Sequence, residues 1–187
     1  MRNVAMLLCA VLLAAAPPGA QAATAEADSV AVMRYVLKLF NARAVITATM
    51  RNGEQSGEMG AMMRAASEHF DVDALGSAMG PALLAQMPAD QVRACAEAVR
   101  LPESASLLAA VPVSEDPVAA LMGLPPAPRQ ALEALFQRPC MAGVVAVMNS
   151  AEASAIAGKY GKALACEAVS EDAVALQVLR DAGQCAR

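Results

Sequence analysis

The chain has no tryptophan, and its aromatic side chains are confined to Tyr35, Phe40, Phe70, Phe136 and Tyr160. Glycans and single-stranded bases are held by stacking on aromatic faces, so recognition of either lacks its usual platform. Basic charge is not in excess either: Lys and Arg number 14 against 18 Asp and Glu, and the two signs are interleaved. A nucleic-acid surface needs a basic face to displace counterions from phosphates, and none is expected here. His69 is the only histidine, and neither G-x-S-x-G nor C-x-x-C occurs. Those absences remove the nucleophile elbow, the thioredoxin-type redox site and the c-type haem attachment. Alternating β-branched and polar residues are nearly missing, which speaks against strands.

What is present is alanine in quantity, with Leu, Val and Met supplying the bulk. Straight-chain and alanine residues favour helix, and the ten methionines beyond residue 22 suit a core with little aromatic volume, because a flexible thioether fills irregular gaps. The expected fold is all-α: a compact bundle of about seven to nine helices, stapled by two disulfides.

The first 22 residues read as a cleavable secretory signal peptide. Arg2 precedes the apolar run Val4 to Ala16, Pro17-Pro18-Gly19 breaks it, and Ala20-Gln21-Ala22 offers small residues to a signal peptidase, which places the cut between Ala22 and Ala23. A spanning helix needs about 20 apolar residues, more than this run supplies before the prolines, so no membrane span is expected after cleavage. Residues 23–187 then form a single helical domain that is periplasmic or secreted. Cys9 leaves with the signal.

Cys95, Cys140, Cys166 and Cys185 remain, an even number in an oxidising compartment, which indicates two disulfides. A zinc site is disfavoured because zinc-binding cysteines come in close pairs and these are singly spaced. Antiparallel helices would set Cys166 and Cys185 at opposite ends of the final helix. The expected pairs are therefore Cys140–Cys166 and Cys95–Cys185.

Periodicity predicts a first helix capped by Asp28 or Ser29 and running to about Thr49, with Met33, Val36, Leu37, Phe40 and Ala44 inward and Arg34, Lys38 and Arg43 outward. A second runs from Glu58 to Phe70. A third is capped by Asp71 or Asp73, carries Val72, Leu75, Met79, Ala82 and Leu83, and is kinked or shortened at Gly80-Pro81. Ser114 to Pro117 starts a short helix ending at Gly123, and Pro125-Pro126-Ala127-Pro128 reads as a stiff connector. Ser150 caps a helix to Cys166, and Ser170 caps a last one that Gly183 stops. A shift of 37 residues lays Pro88 on Pro125, Pro102 on Pro139, Ala98 on Leu135 and Leu107 on Val144. Each segment would be a pair of helices bent at a second proline.

The stretch Pro88 to Leu108, PADQVRACAEAVRLPESASLL, resembles the central motif of an exported bacterial helical family of unknown function. That motif has an acidic-capped helix, an aromatic pair, x-Pro-x-Gly and a Leu-rich helix. Asp90, Arg93, Pro102, Leu107 and Leu108 fit it, while Val99 stands for an aromatic residue and Ser104 for glycine. The resemblance covers about 20 residues and implies an exported helical domain, with no activity and no catalytic residue to carry over.

Two chemistries remain to be weighed. Met59, Met62 and Met63 share a helical face with His69, and soft thioethers with an imidazole could hold Cu(I), although the same spacing serves a buried stripe. Glu54, Glu58, Glu68, Asp71 and Asp73 could supply the carboxylate pair of a glycan or peptidoglycan hydrolase, although most have simpler roles as caps. With no catalytic motif and no cofactor implied, the expected function is non-enzymatic: an exported helical module that binds another protein or a small apolar ligand. An immunity protein, an envelope chaperone and a secreted interaction factor all fit.

Overall fold

The computed structural model describes residues 18–52, 66–181 and 183–185. All regular structure among them is helical, in ten helices with described ends. These are α1 (Pro18–Leu39), α2 (Ala42–Asn52), α3 (Val72–Gln86), α4 (Ala89–Val99), α5 (Pro102–Ala110), α6 (Pro117–Met122), α7 (Pro126–Phe136), α8 (Pro139–Met148), α9 (Ala151–Ala168) and α10 (Ala173–Asp181). The fold is thus the all-α bundle expected, with more and shorter helices.

The first helix is also the central one. It begins at Pro18, well ahead of the expected caps, because the alanine-rich stretch that follows Gly19 contains nothing to interrupt helix propagation. Asp28 and Ser29 therefore lie inside the helix and are buried. Ser29 Oγ donates back to the Glu26 carbonyl at 2.8 Å, and the Asp28 carboxylate accepts Arg100 Nη1 at 2.8 Å. The expected continuation to Thr49 also fails. Asn41 adopts φ 51°, and breaks the helix there, a conformation that Asn tolerates better than most residues. Its Nδ2 donates to the Pro112 carbonyl at 3.0 Å, which rewards the break with a tertiary contact.

Val32, Met33, Val36 and Leu39 of α1 are buried between α3 on one side and α4 on the other. The approach to α3 is close because glycine faces α1 at two positions one turn apart. A Cβ on Gly76 would lie 2.5 Å from Arg34 Cγ and 3.0 Å from Arg34 Cα, and one on Gly80 would lie 2.8 Å from Val30 Cγ2. Asp71 caps α3 through its side chain, which accepts from Asp73 N. Pro81 neither ends nor shortens this helix, which continues to Gln86; the proline is on the exposed side, where water can serve the carbonyl it leaves unpaired.

The two segments related by a 37-residue shift adopt the same local architecture. α4 and α7 each contain 11 residues after a leading proline, and α5 and α8 each begin at the second proline. The α7–α8 bend is 85°. Ala98 and Leu135 are both buried, as are Leu107 and Val144. The expected connector at Pro125 to Pro128 is instead the start of α7, with Pro125 as its cap residue. Prolines fit a first helical turn because its N–H groups have no intrahelical partner in any case.

Ser150 caps α9 by accepting from Ala153 N at 3.0 Å. Asp172, not Ser170, caps α10, accepting from Val174 N and Ala175 N at 3.0 Å each. Ser170 is still in the turn that leaves α9, so its side chain is too early in the chain for that role.

The disulfides are Cys95–Cys140 and Cys166–Cys185, with Cα separations of 5.8 and 5.7 Å, and both expected pairs are wrong. The bend before Pro139 carries the start of α8 across α4, so Cys140 meets Cys95, and the Met141 sulfur lies 3.7 Å from the Cys95 sulfur. At the C-terminus Cys166 and Cys185 do not lie at opposite ends of the final helix. α10 has only nine residues, and Gly183, at φ 69°, reverses the chain so that Gln184 N and Cys185 N both reach the Leu179 carbonyl, at 2.8 and 3.3 Å. Cys185 is thereby returned to Cys166.

The glycine contact is expected to be sensitive to bulk. Gly80→Leu should lower the free energy of unfolding by about 2 kcal/mol through overpacking against α1, whereas Gly158→Ala, in the interior of α9 where a Cβ meets nothing within 4 Å, should raise it by about 1 kcal/mol. Urea unfolding of both variants checks the sign difference.

Candidate functional site

The residues proposed for metal binding do not assemble into a described site. Met59, Met62 and Met63 lie outside the described residues. His69 is exposed in the turn before the buried Phe70, and among the described residues no group of three His, Cys, Asp or Glu side chains is placed to hold a metal ion. The carboxylates have structural partners instead. Asp71 caps α3, while Asp73 lies 2.7 Å from Lys38 Nζ and 3.8 Å from Arg34 Nε. Glu68 is exposed, and Glu54 and Glu58 lie outside the described residues.

A cleft of about 540 Å³ opens where α1 breaks into α2. Leu37, Ala42, Thr47, Val72 and Val113 form its walls. Lys38, Arg43 and Glu115 place charge on it. Asn41 builds this cleft: its left-handed backbone turns α2 away from α1, and its hydrogen bond to Pro112 holds residues 113–115 on the opposite side.

That segment leads directly into an apolar surface. Val113 is 88% exposed, and Val118 and Met122, one turn apart on α6, are 66% and 71% exposed. These side chains are held out by a pinned backbone. Asp116 Oδ1 accepts from Ala119 N at 2.9 Å, Arg129 Nη2 donates to the Met122 and Leu124 carbonyls at 2.6 and 3.0 Å, and Ala120 and Leu124 are buried beneath. The sequence identified α6 and its caps but not the exposure of its apolar side chains. The signal available was the pair Val118 and Met122 at i and i+4 on a helix too short to bury two faces.

Among the described residues, no buried side-chain nitrogen or oxygen lacks a hydrogen-bond partner. Tyr35 Oη donates to the Ser104 carbonyl at 3.0 Å, and Ser104 Oγ donates to the Ala98 carbonyl at 2.7 Å, tying α1 to the α4–α5 bend. Burial raises the Tyr35 pKa above its usual 10.0, opposed by the Ser104 side chain.

No protein-family model, curated protein or solved structure matches the chain. No single helix among the described residues is long and apolar enough to cross a membrane, although the bent pair α7–α8 would pass by length and composition. The inner side of α8, with Cys140, Met141, Val144 and Val147, is buried in the core.

The tyrosine provides a pH test. Because its folded pKa is raised, its contribution to stability is complete below about pH 10 and is lost as pH climbs through the folded value. Tyr35→Phe should cost about 1 kcal/mol at pH 7 from the lost hydrogen bond, and the gap from wild type should shrink above about pH 10. Urea midpoints measured from pH 7 to 11 give both quantities.

Proposed function

We propose that the protein is an exported, non-enzymatic interaction module that binds another protein through the cleft at the α1–α2 break and the apolar arm from Val113 to Met122. The observation that carries this reading is the exposure of Val113, Val118 and Met122 along a segment whose backbone is held by Asn41 at Pro112, by the Asp116 cap and by Arg129. Isolated apolar side chains on a surface are ordinary, but a rigidly held group that continues from a partly apolar cleft is the form of a recognition surface. Rigidity favours binding, because little ordering entropy remains to be lost on association. The scarcity of aromatic faces and of basic charge keeps glycans and nucleic acids low among partners.

Two observations support export. Both disulfides require an oxidising compartment to form and persist. Among the residues whose burial is described, Gln21 to Thr24 are exposed and Ala25 is the first buried, so cleavage after Ala22 leaves every described core residue in the mature chain. The periplasm or the extracellular space is the proposed location, in keeping with the resemblance of residues 88–108 to an exported family.

The test uses the full chain expressed in a bacterium with an active secretory pathway, carrying a photo-crosslinking residue at Val118 or Met122 and, in a control, at Lys159. Intact mass should show a start at Ala23 and four oxidised cysteines. Irradiation in cells should give one discrete protein adduct from the α6 positions and none from Lys159. Retention of residues 1–22 would overturn export, and equal or absent adducts at all three positions would overturn the surface.

A further inference from the structure

The two disulfides occupy different environments. Cys95 and Cys140 are enclosed by the main core, with Cys95 fully buried against Met141. Cys185 is at the edge of burial and Cys166 is half-buried. Their bridge joins a separate small cluster, in which Val169, Leu179 and Cys185 are buried with Cys166, Ala175 and Leu176 packed around them. The buried apolar side chains of α10 belong to this cluster, and none of its described residues is part of the main core. Its outward side is also apolar, with Val174 and Val178 one turn apart and exposed.

We propose that Cys166–Cys185 is a redox latch on α10, opened by a dithiol reductant while Cys95–Cys140 stays closed. A thiolate of the reductant attacks the more accessible Cys166 sulfur, and the Cys185 thiolate leaves. The second thiol of the reductant then attacks its own sulfur in the mixed disulfide and releases the Cys166 thiolate. The two electrons come from the dithiol, which ends as a disulfide, and the two protein thiolates take up the two protons it loses. The Cys95–Cys140 bridge offers no comparable line of approach, since both sulfurs lie within packed side chains.

Opening has a structural consequence because the cluster it closes is small. With the bridge cut, the small cluster of Val169, Ala175, Leu176 and Leu179 is left to seat a nine-residue helix, because the hydrogen bonds from Gln184 and Cys185 to Leu179 lie within the segment itself. Helices of that length are not stable alone in water. α10 is released, exposing Val169, Leu176 and Leu179 in addition to Val174 and Val178. Local opening of this kind leaves the rest of a domain intact when the segment lies outside the main core.

The experiment treats the oxidised mature protein with dithiothreitol under native conditions, quenches at intervals with iodoacetamide, and maps alkylation by peptide mass while hydrogen exchange is followed in parallel. Cys166 and Cys185 should be labelled together, at least about tenfold faster than Cys95 and Cys140. Amides of α10 should lose protection as that label appears, while those of α1, α3 and α4 keep theirs. The double variant Cys166→Ala/Cys185→Ala should show the open α10 without reductant. Simultaneous or earlier labelling of Cys95 and Cys140 overturns the latch, as does an α10 that stays protected once its bridge is cut.

Discussion

The close approach of α1 and α3 organises the rest of the molecule. Two helices can lie this near only where side chains are removed from between them, and Gly76 and Gly80 do so one turn apart, opposite Arg34 and Val30. With α3 in that position, α1 remains free to bury its other side against α4, and Met33, Leu39 and Leu83 are fully enclosed. The long charged side chains of α1 then serve the edge of the same interface. Arg34 donates to the Asp73 carbonyl and to Ser77 Oγ, and Lys38 pairs with the Asp73 carboxylate. These exposed bonds add little stability in themselves, but they agree with the register that the glycines impose.

Polar groups carried into the interior by this arrangement are matched by groups at helix ends. Asp28, on the buried side of α1, meets Arg100, the residue that ends α4. Arg100 is half-exposed, so its charge stays partly hydrated while it pairs with a carboxylate that is not. Ser104 performs a similar task at the α4–α5 bend, where it bonds the Ala98 carbonyl and leaves its own carbonyl to Tyr35. A serine at this position thus closes the bend through its side chain. The bend in turn sets the position of α5 against α7, and α7 carries Arg129, which pins α6. The exposed apolar arm and the buried core are connected through that sequence of contacts.

The disulfides divide along the same line. One closes the main core between the two bent helix pairs, where the proline-started helices α4 and α8 cross. The other closes a 19-residue separation around a small cluster at the C-terminus. Cross-linking limits the unfolded chain in both cases, but only the first also lies in a region that packing already makes rigid.

Much of the local structure was legible in residues alone, because caps and breakers act on neighbours. Asp71, Asp116 and Ser150 cap where their side chains allow, Pro102 and Pro139 start helices, Gly183 ends one, and the helical spacing of apolar positions identifies Met33, Val36 and Leu83 as core. The all-helical class and the presence of two disulfides followed from composition. Disulfide pairing did not, since it depends on an 85° bend and a reversed C-terminal turn that set distances between residues remote in the chain. Nor did the burial of Asp28 and Ser29, which look like caps until a partner helix covers them. The cleft at Asn41 and the exposed face of α6 belong to the same category. The sequence by itself determined the all-helical class, most of the caps and the apolar faces, because those follow from interactions within about four residues. Only the tertiary structure decided which cysteines meet, which polar residues are enclosed and which apolar side chains stay in water, because each depends on what packs against a face that the local chain cannot see.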